Sequence, residues 1–305
     1  VRKGAWALIV TVVLPAAVFP GYEYEGEWTS FIRYIATAPN GNVYGTEGSE
    51  HQVLYYDSTG SFLGQWGEWG VRKGRFWNPL DIDVAANGHV YVCDWQNYRV
   101  QYFTSTGSFL GKWGSEGTGN NEFTFPHYLS IGPGNTVYVM DGTPTRCIKY
   151  FTATGSFLGK WDLDYVEYPN GLGVSPVTGR VYVTDGDYDR VVYYSSTGSL
   201  LGEWGHRGTR PGEFDEPSGI SVGRDGRVFV VDEANDRIQF FTSSGSIIGI
   251  IAEMGNFNLP VDVAVSWTGA RFYVKDGHYS RIKYFKRNTP AVEPTSLGRV
   301  KTLFN

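Results

Sequence analysis

Five polar residues of this chain stand at comparable places, four of them one or two positions after a proline, and their types invite chemistry: Arg33, Asp81, His127, Asn170 and Asp262. Gathered at one opening they would offer two carboxylates, an imidazole, an amide and a guanidinium. Such a set could hold a metal ion or a small anion, or simply line a water-filled channel. A second candidate is DGDYDR, Asp185 to Arg190, where carboxylates alternate as they do in calcium loops. The glycine that an EF-type loop needs is replaced by Arg190 and no glutamate closes the loop, so that motif is rejected. What stays open is an irregular calcium site with Asn170, Asp187 and Asp189 as candidate ligands, near Asp162, Asp164 and Glu167. No Walker-type loop, nucleophile elbow or CxxC occurs. The two cysteines, Cys93 and Cys147, match no zinc spacing and read as buried small apolar residues.

The elements that must position these residues follow from internal repetition. STGSFLGQWG from Ser58 returns, nearly unchanged, from Ser105, Ala153, Ser196 and Ser243. VYVCDWQNYRVQYF around Asp94 returns around Asp141, Asp185, Asp232 and Asp276, with a looser copy around Glu47. These acids are spaced by 47, 47, 44, 47 and 44 residues, which makes six units. Within a unit a proline opens a short apolar stretch, as proline at the first residue of a strand can without losing a ladder bond. A turn, the VYV strand, a polar loop, the VQYF strand, a TG turn and the FLGKW strand follow. That is a four-stranded antiparallel meander, and six in a row predict an all-β, six-bladed β-propeller over residues 21–285. The last unit lacks its FLGKW copy, whereas YEYEGEW at Tyr22 to Trp28 resembles one, so the N-terminal strand is expected to close the last blade.

Recurrence in every blade gives a residue a structural reading. The pairs Asp94 and Arg99, Asp185 and Arg190, Asp232 and Arg237, and Asp276 and Arg281 are expected to tie each acid to backbone N–H groups of the loop that follows it, and each arginine to that acid or to the next blade. The tryptophans Trp66, Trp113, Trp161 and Trp204 are expected to pack between blades. Function belongs where blades differ. The loop between the second and third strands shares a face with the connection between blades, and that rim carries Trp95, Tyr98, Tyr188, His278 and Tyr279, which could stack on sugars or other planar polar ligands.

The G-x-F-x-x-P opening, the V-Y-V-x-D-x-x-x-x-R centre and the L-x-x-W-G ending resemble NHL repeats, from Tyr22 to Phe285. This resemblance implies the propeller and leaves activity open, since the fold hosts binding modules, sensors and enzymes. YPNGLGVSP from Tyr168 is similar to a segment of calcium-dependent lactonases in which the asparagine binds metal, which would make Asn170 a ligand, though the acidic partners are not recognisable. PHYLS from Pro126 resembles a zinc-histidine segment of peptide-amidating lyases and would implicate His127, without matching segments for further histidines. Streptogramin-lyase-like propellers share the architecture without a transferable histidine and acid arrangement. The expected function is therefore a binding or scaffold module for a protein, peptide or glycan partner, with a metal-dependent lactonase-like or lyase-like enzyme as the alternative. No cofactor is expected, with calcium the open case.

Composition agrees. Gly 40, Tyr 21, Phe 18 and Trp 10 against Met 2 describe short aromatic strands joined by tight turns. A net charge of -5 without a basic run argues against nucleic acid as partner. Residues 1–20, with Arg2 and Lys3 before an uncharged apolar run, read as a signal peptide or an uncleaved N-terminal anchor, and so as export to the periplasm, cell surface or medium. Membrane association is expected only in the uncleaved case. A valine at position 1 matches a GTG start codon read literally, as in a prokaryotic gene. Residues 286–305 read as a linker and a short C-terminal helix.

Overall fold

The computed structural model describes residues 21–143, 145–252, 257–278 and 280–288. The signal or anchor segment, Tyr279 and the expected C-terminal helix lie outside the described residues. The chain forms six four-stranded antiparallel sheets arranged around a channel. In the second sheet the strands are Pro79–Val84, Val90–Asp94, Arg99–Phe103 and Phe109–Trp113, running from channel to periphery. The helical content among the described residues is three single 3-10 turns, Trp95–Asn97, Pro133–Asn135 and Glu233–Asn235.

The second strand of each blade is the hydrophobic heart. Val90–Asp94, Val137–Asp141 and Val228–Asp232 are buried along their whole length because both faces meet another sheet. Outer strands such as Phe157–Asp162 alternate between half-buried and exposed, as a strand with one wet face must. The last sheet is completed by Tyr22–Thr29, which pairs antiparallel with Arg281–Arg287 from Tyr22 opposite Arg287 to Thr29 opposite Arg281. The final strand thus runs two residues beyond the expected boundary at Phe285.

Neighbouring blades are joined by two repeated contacts. Each outer tryptophan lies on the TG turn of the next blade. Gly107 has φ +88°, and an added Cβ would meet the Trp66 indole at 2.6 Å, so glycine is required there for both conformation and space. The tyrosine of each V-Y-V strand donates its hydroxyl to a carbonyl of the same turn: Tyr44 to Ser105, Tyr91 to Ala153, Tyr138 to Ser196, Tyr182 to Ser243 and Tyr273 to Ser58, at 2.9–3.1 Å. The fifth blade has Phe229 instead. Its neighbour receives its outer strand from the N-terminus and has no such turn, so a hydroxyl there would lack this acceptor. Phe229 meets the ring of Tyr22 at 5.9 Å.

Candidate functional site

The repeated acids and arginines are internal fasteners. Asp94 is fully buried; its Oδ2 takes the Nε of Arg99 at 2.6 Å, and Asp232 binds Arg237 in the same way at 2.6 Å. Asp185 with Arg190 at 3.2 Å and Asp276 with Arg281 at 2.9 Å repeat the pair with a part-exposed arginine. Asp141 uses Lys149 instead, at 2.9 Å. One expectation is corrected: the backbone N–H groups that the acids accept come from the connection entering the blade, about one strand pair earlier in sequence, and not from the loop that follows. Trp77 N donates to Asp94, Phe125 N to Asp141 and Asp215 N to Asp232. The reason is topological, because each connection arches back over the end of the second strand. Arg99 reaches the same connection, donating to the carbonyls of Val71, Arg72 and Arg75.

The five channel-mouth candidates make different contacts. Asp81 and Asp262 face the channel, yet each carboxylate stitches neighbouring inner strands. Asp81 accepts Ile82 N and, from the next blade, Leu129 N; Asp262 accepts Val263 N and Ile35 N, all at 2.8 Å. Asp83, two residues beyond Asp81 on the same strand face, does likewise with Val84 N and Ile131 N. Asn170 turns into its own blade, its amide against the α-carbon of Gly186. His127 sits half-buried between the rings of Phe125 and Tyr128, at 5.0 and 4.3 Å. Arg33 is exposed, with its guanidinium 5.4 Å from the Tyr34 ring centre.

A cavity of about 150 Å³ fills the channel. Its lining starts one residue deeper than His127 and Asn170, at Tyr34, Asp81, Tyr128 and Asp262, and runs to the turns holding Asn135, Arg224 and Trp267. It therefore opens on the face opposite the rim. Burial pushes the carboxyls of Asp83 and Asp262 up, to about 6 and about 7, and burial together with the facing Asp262 raises Asp81 well above the carboxylate range. Burial, helped by the Arg33 charge, depresses His127 to about 4, so its imidazole is neutral at neutral pH.

The candidate calcium ligands also differ in setting. Asp187 is exposed; Asp189 is buried and accepts Glu216 N at 2.9 Å; Glu167 pairs with Arg146 at 3.1 Å. Among the described residues no group of three or more His, Cys, Asp or Glu side chains could hold a metal ion. Cys93 and Cys147 are free and buried.

On the rim, Trp95 is half-buried and edge-on to Phe125 at 4.7 Å, and Tyr98 takes a left-handed conformation that ends the turn before Arg99. Tyr188 is 59% exposed under the guanidinium of Arg190, and His278 is exposed. Sequence reasoning passed over further exposed rings. Phe31, Trp69, Trp77, Tyr165 and Tyr168 all stand on connections between blades, with Val71 and Leu259 beside them. Away from the outer strands, Val177 is the exposed large apolar residue of the opposite face among the described residues. A position-by-position alignment of the connections would have found Trp69 and Trp77.

No curated protein sequence matches this chain. Residues 80–171 match the model of a family described as a 6-bladed beta-propeller. Among solved structures, the chain is similar to virginiamycin B lyase from Staphylococcus aureus, at 14% identity and TM-score 0.61 over 89% of this chain and 90% of that one. It is also similar to Kuenenia stuttgartiensis hydrazine synthase, at 12% identity and TM-score 0.60 over 85% and 96%. A Bacteroides thetaiotaomicron protein of unknown function gives 14% and 0.63 over 88% and 73%. What is shared is the fold. This chain is a six-bladed β-propeller.

Proposed function

We propose that this propeller is an exported binding module whose rim loops engage a protein, peptide or glycan partner. The observation that supports it is the gathering of exposed rings on one face, with Phe31 72%, Trp69 62%, Tyr165 63% and Tyr168 59% exposed. Trp69 and Trp77, with ring centres 6.4 Å apart, make adjoining exposed apolar surface of the kind that marks interaction sites. The metal-dependent lactonase-like or lyase-like alternative has less support, since its ligands would have to converge and Asn170 and His127 point to different surroundings. Export rests on the basic and apolar pattern of residues 1–20. The test is binding to glycan arrays and peptide libraries by the full chain, by Trp69→Ala with Tyr168→Ala, and by Val177→Ala on the opposite face. Loss in the rim variant alone supports the reading; equal binding by all three refutes it. Fractionation of an expressing prokaryote, with the chain recovered from periplasm or medium, tests export.

A further inference from the structure

Three of the connections between blades are built on one scaffold, so each serves as a control for the others. GEWGVRKGRFWNP ends at Pro79, GSEGTGNNEFTFP at Pro126 and GHRGTRPGEFDEP at Pro217, all of equal length. In each, a glycine N–H donates to the carbonyl of a fully buried phenylalanine: Gly70 to Phe76, Gly117 to Phe123 and Gly208 to Phe214, at 2.8–3.0 Å. The phenylalanine N–H donates back to a carbonyl near the start of the loop: Phe76 to Glu68, Phe123 to Ser115 and Phe214 to His206. A buried cation pins each from below: Arg99 to the carbonyl of Val71, Lys149 to that of Glu122, and Arg237 to that of Thr209.

What the scaffold displays differs. At the first outward position stand Trp69, Glu116 and Arg207, at the second Val71, Thr118 and Thr209, and at the last Trp77, Thr124 and Asp215. Since the other two loops hold the same backbone with polar residues, the fold does not require Trp69, Val71 and Trp77, which are 62%, 63% and 39% exposed. Charge changes too. Where the other loops cap their own backbone with Glu122 or Glu213, this loop has Arg75, which pairs with Glu68 at 2.9 Å. Arg72 and Lys73 remain exposed, with no side-chain ion pair among the described residues.

We infer that the connection from Trp69 to Trp77 is a docking site for an acidic, apolar-anchored peptide segment of a protein partner. The inference rests on the rim-binding reading and names its partner. Tryptophan beside arginine is the composition of interface anchors, and Arg72 and Lys73 supply the charge that an acidic segment complements. A sugar chain fits less well, because the two indoles meet at 71° with centres 6.4 Å apart and give no coplanar platform. The backbone pins fix the display before binding, which lowers the ordering cost.

The test is a display library of random dodecapeptides panned on the full chain, with affinities of the recovered peptides measured by fluorescence anisotropy. A triple variant, Trp69→Glu, Val71→Thr and Trp77→Thr, carries the residues of the equivalent loop and therefore keeps the scaffold; circular dichroism and the thermal midpoint verify that it folds. The expected pool is rich in Asp and Glu with aromatic or leucine anchors. It should lose about tenfold or more in affinity for the triple variant, and Arg72→Gln with Lys73→Gln should flatten its salt dependence. A pool rich in Lys and Arg, a pool bound equally by the triple variant, no enrichment, or preference for a polyuronate over the peptides would each overturn the inference. If binding is instead lost with Tyr165→Ala and Tyr168→Ala, the rim reading stands and this inference fails. If it survives both sets of changes, both fail.

Discussion

Replacing Arg99 by methionine measures how much of the rim depends on the buried fasteners. The side chain is 4% exposed and makes four bonds: Nε to Asp94 at 2.6 Å, and its two amino groups to the carbonyls of Val71, Arg72 and Arg75 at 2.7, 3.0 and 2.8 Å. Methionine approximates the stem and removes the charge, leaving the fully buried Asp94 with neutral donors: Trp77 N, Asn97 Nδ2 and Gln101 Nε2. Breaking a buried pair on one side costs about 3–5 kcal/mol. Arg281→Met removes an equivalent bond whose arginine is 20% exposed and shared with Glu27, so water compensates more and the loss should be about 1.5–3 kcal/mol. The assay is guanidinium chloride unfolding followed by tryptophan fluorescence, with midpoints compared at equal slope. Asp94→Asn added to Arg99→Met should recover part of the loss, because the uncompensated charge is gone. A loss below about 1 kcal/mol, or one no larger than that of Arg281→Met, would refute the claim that these pairs organise the connections.

Further outcomes follow from the same geometry. Tyr91→Phe should cost about 1 kcal/mol through the lost bond to Ala153, whereas Phe229→Tyr should gain nothing, both read from unfolding midpoints. Asp83→Asn tests the channel acids: a carboxyl raised to about 6 contributes stability below the unfolded value and loses it as pH rises to about 6. The wild-type unfolding free energy should therefore fall between about pH 4 and 6, by on the order of 3 kcal/mol for this group alone, and the variant should show a smaller fall. The His127 imidazole should titrate near 4 by NMR, with Arg33→Gln moving it upward; a midpoint near the ordinary histidine value would refute the burial assigned to it. Deleting residues 21–29 should leave Arg281–Arg287 as an open edge, seen as self-association in sedimentation; a monomer with unchanged melting would refute the closure.

The site was less legible than the fold. Asp81 and Asp262 are visible in sequence as polar residues on apolar strands, but their use as acceptors for Leu129 N and Ile35 N depends on how far apart adjacent inner strands stand. Asn170 and His127 share a sequence position relative to their prolines, yet one turns to Gly186 and the other into a cage of rings. Both strands begin at the proline with the same bulge after it, so the difference lies in the neighbours, Tyr128 following His127 and Gly171 following Asn170, and no spacing rule records it.

The sequence by itself determined the number of blades, their strand order and the closing strand, because each of these is written as a repeat; that Asp141 pairs with Lys149 rather than Arg146 was decided by the tertiary structure. The tertiary structure decided which residues are displayed. Trp69 and Trp77 lie on the face where connections and second loops meet, and the cavity opens on the other, since exposure depends on which segments the ring of blades brings together and covers.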